Sequence, residues 1–208
     1  MTQQDLINGV KLSYLTSMLE NPEILREELL DDYADEVYSH EQITGFIEDI
    51  DKTWRLQHLT PTNLGALLDL VSVFLISSNR KSAQKSQMTI PICYFSPMVP
   101  LSVNLLKLYL SSLGFKNRTY LLNINNERFE NFIASHKPSC ILVSLFHFHE
   151  IPLLEELVQS SFLQNIKVIV GGIPFEYDNK LKDIFPNCEF PMNLHCLAKL
   201  LRDLIPSG

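Results

Sequence analysis

The chain has 208 residues, 46% of them hydrophobic and 20% charged, which suits one or two domains with a substantial core and excludes a disordered protein. Its net charge of −7 is uneven: residues 1–80 carry 14 acidic and 5 basic side chains, whereas residues 81–208 carry 10 and 12. An acidic front half repels phosphate backbones, so direct nucleic-acid binding is disfavoured and a protein partner, or a ligand with apolar bulk, is expected.

No stretch has the length of a membrane span. The best candidate, "LGALLDLVSVFLISS" (64–78), is too short and carries Asp69. The opening "MTQQDLINGV" lacks the basic start and apolar middle of a signal peptide, so a cytoplasmic protein with no membrane partner is expected. Cys93, Cys140, Cys188 and Cys196 form no C-x-x-C pair and read as reduced, mostly buried thiols.

Residues 3–78 read as helical. In "DLINGVKLSYLTSMLE" (5–20), Leu6, Val10, Leu15 and Leu19 fall near one face, and "NPEILREELL" (21–30) opens with an Asn cap and Pro at the first turn. "SHEQITGFIEDIDKTWRL" (39–56) predicts a helix capped by Ser39, with Gln42 completing a capping box and Ile43, Phe46, Ile47 and Ile50 as its apolar stripe. "TPTNLGALLDLVSVFLISS" (60–78) starts at Thr60 or Thr62 and is apolar on nearly every side. Helices joined by short connections make a bundle over residues 1–80. The acidic run at 27–36 lacks the spacing of a calcium loop and reads as a solvated or partner-docking face.

Polar residues 81–88 form a linker, after which the period changes. Strands are predicted at 89–95, 116–124, 139–146, 166–172 and 188–190. Helices are predicted at 101–114, closed by Gly114, and at 126–137, 151–164, 175–186 and 193–205. The third strand, "SCILVSLF", is the continuous apolar run expected of a strand buried on both faces. Residues 89–208 therefore form an α/β domain, a five-stranded doubly wound parallel sheet.

The strand ends exclude the commoner chemistries of this fold. Phe95-Ser96-Pro97 and Phe146-His147 put no carboxylate where a phospho-receiver needs one. The first turn has no glycine for a dinucleotide, and no Walker loop or G-x-S-x-G elbow occurs. No enzymatic activity is expected.

"ILVSLF" followed about 30 residues later by "VIVGGIPF" resembles the cobalamin-binding domain superfamily, a helical bundle preceding a flavodoxin-like domain. Its members carry Ser-x-Leu after the third strand and Gly-Gly after the fourth, around a slot for the nucleotide tail of the corrin. Ser144 matches the serine, Phe146 replaces the leucine, and Gly171 and Gly172 match the glycine pair. Trp54 falls where light-responsive regulators of this type carry a capping tryptophan.

The resemblance also has departures. The D-x-H-x-x-G signature, whose histidine ligates cobalt, would fall at Pro97, Val99 and Ser102, and the upper ligand of the regulators at Leu64-Gly65. A methyl-carrying domain is not implied. The chain is similar instead to the branch without that signature, the haem- or cobalamin-containing sensors and antirepressors.

The resemblance therefore implies a regulatory or sensory protein with haem or cobalamin held between sheet edge and bundle. Its partner would be a transcriptional or signalling regulator. His147 and His149 are the candidate metal ligands, with Met98 a soft second ligand. Glu150 or a backbone carbonyl would orient an imidazole. The alternative is a ligand-free interaction module, in which the histidines cap the next helix and Phe146, Phe148 and Met98 close the slot. His40, His58, His136 and His195 read as surface residues, and Trp54 as a core anchor rather than a ligand cap.

Overall fold

The computed structural model describes residues 39–79, 88–122 and 126–205. The helices expected before residue 39, the acidic run at 27–36, the linker apart from Met88, and residues 123–124 of the second predicted strand lie outside the described residues. The chain divides into two compact units, Met1–Ala83 and Gln84–Gly208.

In the first unit, α1 (His40–Arg55) begins at the expected capping box. The Gln42 amide donates to Ser39 Oγ at 3.2 Å, and the Ser39 amide donates to Gln42 Oε1 at 2.8 Å. Thr60 opens α2 (Pro61–Asn79) by accepting from the Asn63 amide at 3.2 Å. The two helices pack together, with Ile43, Ile47, Ile50, Leu64, Leu67 and Val71 among the buried side chains. Asp51, also buried, bonds Arg55 Nε at 2.9 Å one turn on. Among the described residues no helix is long and apolar enough to cross a membrane.

The second unit is the expected parallel sheet, in the order β2-β1-β3-β4-β5. Its strands are β1 (Thr89–Tyr94), β2 (Lys116–Leu121), β3 (Cys140–Leu145), β4 (Lys167–Gly172) and β5 (Cys188–Glu189), and its helices are α3 (Leu101–Ser112), α4 (Glu127–His136), α5 (Ile151–Val158), α6 (Ile173–Tyr177) and α7 (Leu194–Leu204). β3 is buried along its whole length, as its unbroken apolar run requires. Ile141, Val143 and Leu145 join Phe129 and Phe132 of α4 and Leu154 and Leu157 of α5 in one core cluster. The alternate face of β3 carries Ser144, whose hydroxyl meets Ser102 of α3. Pro91 is tolerated in a central strand because β1 pairs with β3 only from Ile92 onward.

Two predicted helices are shorter than their apolar patterns suggest. The one expected over 151–164 ends at Val158; Ser160 is extended, and a separate 3-10 turn runs over Ser161–Leu163. The one expected over 175–186 is α6 followed by a 3-10 turn at Asn179–Ile184. Asp178 causes that break: its backbone is extended and its carboxylate accepts from the Lys180 amide at 2.9 Å, a local bond that competes with helix continuation.

Candidate functional site at the carboxyl edge of the sheet

Strand order reverses between β1 and β3, and in open α/β sheets the crevice beyond the carboxyl ends at such a point is where ligands bind. The segment leaving β1, residues 95–106, contains no ionisable side chain. Pro97 and Val99 are exposed, so no nitrogen or carboxylate ligand stands where a lower metal ligand would be needed. Ser102, in the first turn of α3, holds its Oγ 3.4 Å from Ser144 Oγ.

A row of residues crosses the sheet at this level. Tyr94 pairs with Ser144, and Ser144 with Gly171, so all three project to the α3 face. Tyr94 and Ser144 are buried, whereas a Cβ placed on Gly171 would meet nothing within 4 Å among the described residues. Gly171 thus borders open space beside the serine pair.

Gly172 is different. Its φ of +125° and its position against β3 put an added Cβ onto the Leu145 carbonyl oxygen and 2.8 Å from the Leu145 amide nitrogen. Glycine is required there by the neighbouring strand. Gly171, by contrast, has no such packing requirement, and its backbone leaves room for a ligand.

His147 and His149 follow β3 and are both exposed. The chain is extended at His147 and then turns through a 3-10 segment, Phe148–Glu150, instead of continuing as a strand. The turn still brings the two imidazoles together, stacked with centroids 5.0 Å apart and planes 17° from parallel. Phe146 meets His147 edge-on at 4.7 Å.

Glu150, buried to 1% exposure, fixes this turn. Its Oε2 accepts from the Phe146 amide at 2.6 Å and the His147 amide at 3.1 Å. Its role is to clamp the backbone; the expected bond from Glu150 to an imidazole is not the one formed. This clamp had no signal in composition or period, since a Glu at the start of a helix usually points to solvent.

Met98 is 78% exposed on the loop after β1, and Phe148 is 52% exposed. Neither side chain is packed into a slot, and at the crevice it is the hydroxyls of Ser102 and Ser144 that meet. Trp54 lies half-buried in the last turn of α1, in the helical unit. His136 stacks on Phe132 and bonds Ser135 Oγ at 2.8 Å, while His58 and His195 are exposed. Among the described residues no three His, Cys, Asp or Glu side chains group as a metal site. Burial pushes the Cys93 thiol well up and the Cys140 thiol to about 12, so neither is a nucleophile near neutral pH.

These features define a doubly wound, flavodoxin-type domain whose carboxyl edge carries serine, glycine and histidine. Residues 89–202 match the B12 binding domain family, and the chain belongs to it.

Solved structures agree on the fold. A cobalamin-binding protein from Desulfitobacterium hafniense DCB-2 aligns over 94% of this chain and 99% of its own, at 10% identity and a TM-score of 0.59. The monomethylamine corrinoid protein of Methanosarcina barkeri aligns over 92% and 97%, at 14% identity and a TM-score of 0.56. A chain of the methanol:cobalamin methyltransferase complex from the same organism aligns over 100% and 86%, at 10% identity and a TM-score of 0.55. No curated protein sequence matches the chain.

The residues present fit a flat, metal-containing macrocycle in one respect and conflict with it in another. Exposed imidazoles at the carboxyl end of β3 could ligate a metal, and Gly171 leaves room for close approach to the backbone of β4. The loop after β1 offers no ligand, and the crevice beneath it is bridged.

Proposed function

We propose that this protein is a regulatory corrinoid-binding protein, in which His147 or His149 would hold the metal through an imidazole nitrogen and Gly171 would allow the close approach of the ring. The observation that carries this is the stacked, exposed histidine pair at the carboxyl end of β3, in a domain of the B12 binding family. A bound corrinoid would supply a coordinated metal and a strong visible spectrum. The chain's own part is to hold the ring and present the imidazole, with Glu150 keeping the turn in place. Haem, the other tetrapyrrole compatible with these residues, has no support among the relatives. The proposed output is a ligand-dependent change in affinity for a protein regulator, which requires the ligand to favour one conformational state over another.

The test is a visible absorption titration of the full-length protein with hydroxocobalamin and, separately, haem. A His147→Ala/His149→Ala variant is run alongside. The expected result is a saturable shift with hydroxocobalamin that the variant loses. An unchanged hydroxocobalamin spectrum, or an equal shift in the variant, would overturn the assignment.

One set of observations favours a second function, a ligand-free interaction module. Met98, Phe148, Tyr177 and Met192, all at least half exposed, stand on the segments following β1, β3, β4 and β5. Apolar side chains exposed around one edge of a sheet suit a protein contact. The same titration decides between the two.

A further inference from the structure

We propose that Ser102 is a specificity residue: with Ser144 it closes the β1–β3 crevice, so that a corrinoid binds through its ring while its nucleotide tail stays outside the domain. The inference rests on the corrinoid function proposed above and adds which corrinoids the site can distinguish.

The geometry is steric before it is energetic. The two hydroxyl oxygens are 3.4 Å apart, a weak hydrogen bond at best. An atom of a ligand lying between them needs van der Waals distance to both, about 7 Å in total. The gap is half of that.

Neither wall yields easily. Ser144 is 7% exposed, next to the last residue of a fully buried strand, and its register partner Tyr94 is buried beside it. The helix behind Ser102 is anchored by Val103, Leu105 and Tyr109, each 3% exposed or less. Pro100 immediately precedes the helix and fixes the approach of the chain. The remaining movement is rotation of the Ser102 side chain, so a single Cβ–Oγ group stands between a closed crevice and an open one. The space on the other side of Ser144, over Gly171, is open and receives a ring edge with no such displacement.

The experiment compares hydroxocobalamin with diaquacobinamide, which has the same ring and no nucleotide tail, by visible absorption titration of the full-length protein. Ser102→Gly removes the barrier and Ser102→Thr retains it; thermal melts of both confirm that the fold is intact. In the wild type the two corrinoids are expected to bind within about threefold of one another, and Ser102→Gly is expected to favour cobalamin by about tenfold or more. Ser102→Thr is expected to follow the wild type.

A wild-type preference of tenfold or more for cobalamin would overturn the inference, because the tail would then be contributing. An unchanged ratio in Ser102→Gly would also overturn it. In both cases binding of cobinamide would leave the corrinoid function standing. If the wild type binds neither compound and Ser102→Gly binds cobalamin, the crevice assignment holds and the native corrinoid function falls. If neither protein binds either compound, both fall.

Discussion

Replacing Gly172 by alanine separates the two adjacent glycines of β4. Gly172 has φ +125°, a region nearly closed to side chains, and occupying it costs about 1–3 kcal/mol. The added Cβ also falls on the Leu145 carbonyl oxygen, with the Leu145 amide nitrogen and carbonyl carbon each 2.8 Å away. All three atoms are backbone of a buried strand, so β3 or β4 must move, at a further cost of about 1–3 kcal/mol. The sum, about 2–6 kcal/mol, is expected to lower the melting temperature of the domain by roughly 10 °C or more.

Gly171→Ala is the control. No atom lies within 4 Å of its added Cβ and its φ is ordinary, so stability should change by less than about 1 kcal/mol. Corrinoid binding, where it depends on approach to this backbone, should weaken in the same variant. Urea denaturation followed by circular dichroism measures the stability terms. A Gly172→Ala protein within about 1 kcal/mol of wild type, or a Gly171→Ala protein equally damaged, would refute the assignment of strand packing to one glycine and ligand access to the other.

Three further outcomes are expected. Glu150→Ala leaves the Phe146 and His147 amides without their carboxylate and should lose about 2–4 kcal/mol, with Glu150→Gln losing less because its amide oxygen still accepts; a denaturation midpoint unchanged in Glu150→Ala would refute the clamp. Tyr120→Phe removes a buried hydroxyl that has no hydrogen-bond partner among the described residues, and should be neutral or stabilising by up to about 1 kcal/mol; a clear loss of stability would mean the hydroxyl is satisfied. The buried Cys140 thiol keeps its proton up to about 12, while in the unfolded chain it loses it near 9.0. Between those values the folded state binds more protons, so its stability falls as pH rises, by about 1.4 kcal/mol per pH unit. Denaturation at pH 8, 9 and 10 should show a slope above pH 9 that Cys140→Ala reduces, and equal slopes would contradict the burial of this thiol.

The sequence by itself determined what depends on near neighbours along the chain. The capping box at Ser39 and Gln42, the cap at Thr60, the αL glycine at 114 and the apolar run of β3 are local patterns, each legible in a window of a few residues. Alternation of strands and helices then left a parallel sheet as the arrangement able to bury them all. The pattern failed where a side chain competed with the helix backbone, as at Asp178, because periodicity records which face is apolar and not where the hydrogen bonds go.

Only the tertiary structure decided the site. Ser102 and Ser144 are 42 positions apart, and no local pattern says that their hydroxyls meet. Gly171 and Gly172 are indistinguishable as residues; their difference comes from the strand alongside, since pairing in register sets one Cβ against the Leu145 backbone and leaves the other facing open space. Glu150 likewise reaches the Phe146 and His147 amides because the 3-10 turn folds it back over them. Such contacts depend on strand register and turn geometry, which are set by the packing of the whole domain.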